Sequence, residues 1–133
     1  MKPIYLIIFV CSLILVTISG CVSTTTPEKT QYTDVSIQQA KQMIDRGDVL
    51  ILDVRTQEEY DAGHINNSTL IPVQVLDKRL NELPRDKKIL VYCMTGGRSA
   101  QASEILVYNG FKEIYNMKGG IMNWTNAGYD VMK

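Results

Sequence analysis

Two short apolar runs constrain the fold more than anything else in this chain. Val49-Leu50-Ile51-Leu52 is continuously apolar and runs into Asp53-Val54-Arg55, and Lys88-Ile89-Leu90-Val91-Tyr92-Cys93 repeats the design. A strand with one wet face would alternate polar and apolar residues. An unbroken run rich in branched side chains suits a strand covered on both faces, as in a parallel sheet. Helical signals flank these runs. Ser36 is positioned to cap a helix reaching Arg46, with Gly47 as its stop. Thr56-Gln57-Glu58-Glu59 has capping-box spacing and opens a short helix through Tyr60. A further helix is expected over Val75 to Glu82, closed by Pro84. After the second run, Ser99, Ala102, Ser103, Leu106 and Gly110 recur at the spacing of one helical face, and Asn109-Gly110 ends that helix. Glu113 to Met117 reads as another strand and Gly120 to Asn126 as a last helix. The alternation predicts an α/β domain with three layers, a mainly parallel central sheet carrying helices on both faces.

The first twenty residues follow a different logic. Met1-Lys2-Pro3 carries one positive charge ahead of Ile4 to Ile18, which contains no charged residue. That run is short for a spanning helix, which needs about 20 residues, and fits the apolar region of a secretory signal. It ends in Ile18-Ser19-Gly20-Cys21, which resembles the lipobox of prokaryotic lipoproteins, where cleavage before the cysteine leaves it to carry the lipid. An uncleaved anchor helix is the other reading. Both tether the chain to a membrane and place its domain outside the cytoplasm. The expected organisation is a signal peptide over 1–20, lipidated Cys21 with a flexible tether over 21–31, and one domain over 32–133.

Charge and cysteine usage narrow the function. Fourteen Lys and Arg balance fourteen Asp and Glu, and no basic run breaks the balance, so the chain has no electrostatic footprint for nucleic acid. Cys11 and Cys21 belong to the N-terminal segment, which leaves Cys93 as the one thiol of the domain. It has no intramolecular partner there, and an unpaired exported thiol is a candidate for reactivity.

Cys93 also stands where chemistry is expected. It ends a buried strand, and Met94-Thr95-Gly96-Gly97-Arg98-Ser99 leads from it into a helix. Sites in open α/β sheets lie at the carboxyl ends of strands. Successive N–H groups of a glycine-rich turn can converge as an anion nest, and the following helix points its positive end at the same place. With the charge of Arg98, these features favour thiolate over thiol and make Cys93 a nucleophile. The competing reading is a buried structural cysteine followed by an ordinary loop.

The pattern Cys-x-x-Gly-x-Arg-Ser, met by Cys93, Gly96, Arg98 and Ser99, resembles the active-site loop of the rhodanese family. Asp53-Val54-Arg55, Glu58-Glu59-Tyr60 and Gly63-His64-Ile65 resemble its upstream signature. Gly110-Phe111 and Gly119-Gly120-Ile121-Met122-Asn123-Trp124 resemble its later ones. The resemblance runs from about Val35 to Val131 and is closest to a single-domain rhodanese. It implies sulfur transfer: the Cys93 thiolate takes the outer sulfur of thiosulfate, a persulfide or a polysulfide, and the resulting persulfide passes it to cyanide or a thiol. The amides of Met94, Thr95, Gly96, Gly97, Arg98 and Ser99 would cradle the persulfide, and Arg98 would bind or steer the anionic donor. The implied partners are small sulfur-containing anions and thiols, with a thiol acceptor protein as a further candidate. No cofactor is implied, and the domain is expected to be a monomer.

The remaining residues are assigned more modest roles. Arg55 is a candidate anion ligand, but an ion pair with Glu59 is favoured, since an arginine fork suits a carboxylate. Asp53 is expected to order its loop through hydrogen bonds. His64 is the sole histidine, and a thiolate stabilised by its own loop needs no base, so a structural role is favoured. One histidine and one domain cysteine leave no basis for a metal site. Trp124 is expected in the core. Where the family often has Pro-Gly-Ala after Gly-His-Ile, this chain has Asn66-Asn67-Ser68, which creates glycosylation sequons at Asn66 and Asn67 beside one at Asn123. In a prokaryote none is expected to be used.

Three functions stay open: a sulfurtransferase, an oxyanion enzyme of the phosphatase or arsenate-reductase kind, and a non-enzymatic persulfide carrier or sensor. Cysteine phosphatases place five residues between cysteine and arginine, whereas Met94 to Gly97 are four. The shorter loop suits one sulfur better than a tetrahedral phosphoryl group. The Gly-x-Arg-Ser ending also disfavours a mercaptopyruvate specialist.

Overall fold

Five parallel strands form one sheet, in the order β1-β5-β4-β2-β3. They are β1 (Thr33–Val35), β2 (Val49–Asp53), β3 (Thr69–Leu70), β4 (Lys88–Tyr92) and β5 (Ile114–Met117). The helices are α1 (Ile37–Arg46), α2 (Gln57–Ala62), α3 (Gly97–Tyr108) and α4 (Gly120–Asn126). The computed structural model describes residues 31–133. The expected export segment, Cys21 and the tether as far as residue 30 lie outside the described residues. Among the described residues, no helix is long and apolar enough to cross a membrane.

The two apolar runs are the inner strands β2 and β4, paired from Val49 beside Lys88 to Asp53 beside Tyr92. Their side chains alternate between two cores. Leu52, Val54, Ile89, Val91 and Cys93 face the layer of α3, where Ala102, Leu106 and Phe111 join them. Ile51, Leu90 and Tyr92 face the layer of α1 and α4, with Ile37, Ala40, Met43, Ile121 and Trp124. Both faces are therefore covered, which is why neither run could carry polar residues in alternation.

Local signals act as expected at most helix ends. Ser36 and Thr56 each form a complete capping box, with Gln39 and Glu59 respectively, and Gly47 ends α1 in the left-handed region. The helix expected over Val75 to Glu82 is instead two 3-10 segments, Val73–Lys78 and Leu80–Glu82. Val73 and Leu76 are buried and lie three residues apart, as do the inward Leu80 and Leu83. That spacing matches three residues per turn, and β-branched Val73 and Val75 weaken an α-helix. Strands β1 and β3 were not expected. With three and two residues, they are too short for any periodicity to register.

The carboxyl edge of the sheet gathers the loops that matter. β4 is the central strand, and Cys93 follows it directly. The Val54 N–H donates to the Tyr92 carbonyl at 3.1 Å, so the chain after β2 leaves the sheet beside the chain after β4. On the other side, β5 leads into Gly119-Gly120 and α4.

Candidate active site

The loop after β4 is built around the sulfur of Cys93. The residue is 1% exposed, so the surrounding loop, with little help from water, must stabilise any charge on it. The Gly96 N–H donates to Sγ at 3.1 Å, from a backbone with φ of +111° that suits glycine. The Ser99 hydroxyl lies 3.5 Å from Sγ and donates to the Gly96 carbonyl at 3.1 Å. In the thiol state, S–H donates to that hydroxyl. On ionisation, the single hydroxyl proton can turn from Gly96 to the sulfur. Burial is the largest influence on this thiol and pushes its pKa up. The Ser99 hydroxyl and the N–H groups of Ser99, Gly96 and Thr95 together outweigh it and hold the pKa below the ordinary thiol value.

A second glycine turn holds this loop from behind. The Ile121 N–H donates to the Cys93 carbonyl at 2.9 Å and the Met122 N–H to the Met94 carbonyl at 3.1 Å. The first turn of α4 thus takes up the carbonyls of the loop and leaves its amides free to face the sulfur. Gly120 makes this approach possible. Its φ is +60°, and a Cβ there would fall 2.5 Å from the Cys93 carbonyl oxygen and onto the Met94 carbonyl. In the sequence, Gly119 and Gly120 stand out as a motif match and Gly120 as a helix start, and neither reading reveals this role. The adjacent glycines Gly119-Gly120 at a helix start were the available signal.

The two arginines are held differently from expectation. Arg55 is 2% exposed and Asp53 fully buried. Arg55 Nε lies 3.0 Å from Asp53 Oδ1, and its Nη2 lies 2.7 Å from Oδ2 and 2.8 Å from the Gly63 carbonyl. The expected pairing of Arg55 with Glu59 is therefore replaced by a pairing with Asp53, the carboxylate buried beside it. A desolvated guanidinium needs such a partner more than an exposed one does. Asp53 also accepts the Arg55 N–H at 3.0 Å, so it orders this loop by hydrogen bonds. The guanidinium lies 5.5 Å from the Tyr92 ring centroid.

Glu59 instead holds Arg98. Arg98 Nη1 and Nη2 reach the two carboxylate oxygens at 2.8 and 2.7 Å. This fork pulls the Glu59 carboxyl down to about 2, ahead of its bonds to Thr56 and against the effect of burial. The Arg98 charge is thereby balanced within the site. The loop hydrogen bonds are the main influences that lower the Cys93 pKa, and the Arg98 charge, which the sequence offered beside them, is shared with Glu59.

His64 is held structurally. Its Nδ1–H donates to the Tyr60 carbonyl at 2.9 Å, its ring stacks on Tyr60 at 3.7 Å, and its backbone bridges to Met132. Trp124 is 3% exposed and donates to the Asp130 carbonyl. Among the described residues, no three His, Cys, Asp or Glu side chains come together as a metal site requires. Of the expected site residues, Gly96 and Ser99 place hydrogen-bonding groups on the Cys93 sulfur. Met94 turns its carbonyl to α4, while Arg98 and Glu59 close one flank.

A family model for the rhodanese-like domain matches residues 36–127. The chain is 32% identical over 93 residues to a sulfurtransferase of Allochromatium vinosum, covering 70% of this chain and 87% of that protein. It is 33% identical over 93 residues to the thiosulfate sulfurtransferase GlpE of Coxiella burnetii, with the same coverages. A putative sulfur carrier protein of Bacillus subtilis, YrkF, is 38% identical over 93 residues, which span 69% of this chain and 50% of that protein. The crystal structure of a rhodanese-related protein from Thermoplasma volcanium superposes with a TM-score of 0.71 at 37% identity, over 76% of this chain and 98% of that one. The matched span holds the whole sulfur-cradling loop and both glycine turns, and the chain belongs to the rhodanese-like domain family.

Proposed function

We propose that this protein is a sulfurtransferase that carries sulfane sulfur as a persulfide on Cys93. The observation that carries the reading is the shell around Sγ, in which the Gly96 N–H and the Ser99 hydroxyl meet a buried thiol whose pKa is lowered. With thiosulfate as donor, the thiolate attacks the outer sulfur. A new S–S bond forms, the donor's S–S bond breaks, and sulfite leaves with its electron pair. Cyanide or a thiolate then attacks the outer sulfur of the persulfide and restores the Cys93 thiolate. The loop amides serve both charged states of the cysteine.

Cyanide-dependent release of thiocyanate from thiosulfate or polysulfide tests the reading. Release by the wild type and its loss in Cys93→Ala support it. Equal release by both proteins removes Cys93 from the mechanism. The similarity to the putative sulfur carrier protein of Bacillus subtilis favours a second reading, a persulfide carrier for a protein thiol. Slow turnover with cyanide beside rapid exchange with a protein persulfide would favour that reading. The four residues between Cys93 and Arg98 support both readings over a phosphatase.

We also propose export and lipid attachment at Cys21, supported by the uncharged run from Ile4 to Ile18 and by Ile18-Ser19-Gly20-Cys21. The substrates would then be extracytoplasmic sulfur compounds. Metabolic labelling with a fatty acid, lost in Cys21→Ala, tests this.

A further inference from the structure

The five parallel strands all begin at one edge of the sheet, opposite the edge that carries Cys93. The described chain enters at this amino edge, with Gln31 just ahead of β1. Residues 21–30 separate it from Cys21, and a chain of that length spans at most about 35 Å. A membrane tether at Cys21 therefore brings the amino edge, not the Cys93 loop, toward the bilayer. Charge is sorted along the same axis, although the chain as a whole is balanced. Arg46 ends α1 at the amino edge, Lys87 and Lys88 stand at the start of β4, and Lys112 precedes β5. Arg85 is fixed there too, its Nη1 2.7 Å from the Asn109 carbonyl that follows α3. Of the nearby acids, Asp48 is paired with Lys88 and Asp45 with Lys41. Asp86 and Glu113 are left to face Arg46, Arg85, Lys87 and Lys112. At the carboxyl edge, Glu59 balances Arg98, and the exposed Glu58 and Asp61 of α2 outweigh Lys118. Tyr108, the last residue of α3, is 91% exposed at the amino edge. A tyrosine flanked by basic side chains suits the boundary between lipid headgroups and tails.

Resting on the membrane tether proposed above, we propose that the amino edge of the sheet docks on anionic phospholipid headgroups. Arg46, Arg85, Lys87 and Lys112 supply the attraction, and Tyr108 enters the interface. The acidic end of the domain is held off the same surface by like charge. The Cys93 loop then faces away from the bilayer, open to soluble sulfur compounds.

The test uses the full chain, purified from membranes in detergent and reconstituted into vesicles. These contain phosphatidylcholine alone, or phosphatidylcholine in equal parts with phosphatidylglycerol. Acetylation of amines, read by mass spectrometry, compares Lys87 and Lys112 with Lys118 at the opposite edge. In the mixed vesicles, labelling of Lys87 and Lys112 relative to Lys118 is expected to fall about fivefold below its value in phosphatidylcholine. The double variant Arg46→Glu, Tyr108→Ser changes two exposed residues, so it retains the fold, and it is expected to lose this fall. Because the variant meets the same anionic surface, it also controls for the effect of that surface on amine reactivity. Equal relative labelling in the two kinds of vesicle, protection of Lys118 in place of Lys87 and Lys112, or a fall that the variant keeps overturns this inference alone. A chain absent from the membrane fraction overturns the tether and this inference with it.

Discussion

Arg98 sets its two terminal nitrogens 2.8 and 2.7 Å from the two carboxylate oxygens of Glu59, joining the cysteine loop to the first turn of α2. The same carboxylate accepts the Thr56 N–H at 3.0 Å. One side chain therefore caps a helix, fixes one flank of the loop and balances its charge. A thiolate in this setting is stabilised by directed N–H and O–H groups held by the fold.

The lowered pKa of Cys93 should appear as a rate of alkylation by iodoacetamide that titrates below the ordinary thiol value. Ser99→Ala removes the hydroxyl beside the sulfur, the strongest influence that lowers its pKa, and the substitution fits a fully buried position. The midpoint is expected to rise toward that of an ordinary thiol. An unshifted midpoint in the variant would separate Ser99 from the stabilisation of the thiolate.

Glu59 links stability to pH. Its carboxyl lies at about 2 in the folded chain against 4.5 for the free group, so the unfolded chain binds the proton first. The stabilisation is complete above about pH 4.5 and is lost as pH falls toward 2. The side chain is a quarter exposed, so solvent screening holds the effect to about 1 kcal/mol. Denaturant unfolding from pH 7 to 2 should show Glu59→Gln less stable at neutral pH, with the two curves converging in acid.

Gly120→Ala drives a Cβ onto the Cys93 and Met94 carbonyls from a backbone at φ +60°. A loss of about 2–4 kcal/mol is expected by urea unfolding. Activity in the protein that remains folded should fall as well, because α4 can no longer hold the loop carbonyls. Gly97→Ala is the control, since nothing lies within 4 Å of its Cβ position.

The buried Asp53–Arg55 pair gives an asymmetric prediction. Asp53→Ala leaves an unpaired guanidinium at 2% exposure and should cost about 3–5 kcal/mol. Adding Arg55→Met removes the stranded charge and should recover part of that loss. Urea midpoints of the single and double variants measure the difference.

The parallel sheet and the Cys93 loop were legible because they rest on local chemistry. Val49 to Leu52 and Ile89 to Tyr92 declare two covered faces, and Gly96-Gly97 beside a thiol declares an unusual turn. What was not legible depended on contacts between distant segments. Arg55 has carboxylates at Asp53 and Glu59 within easy sequence reach, and only the fold shows that Asp53 shares its burial while Glu59 faces Arg98, 39 residues away. β1 forms through pairing with β5, with Thr33 beside Tyr115, and its three residues carry no pattern of their own. Gly120 looks like any helix start until the Cys93 and Met94 carbonyls are placed against it.

Intact mass spectrometry after exposure to a sulfane-sulfur donor, thiosulfate or polysulfide, tests the central claim most directly. A gain of one sulfur atom is expected on the wild type, absent from Cys93→Ala and removed by cyanide with release of thiocyanate. An unmodified wild-type mass with both donors, while Cys93 still reacts with iodoacetamide, would contradict it.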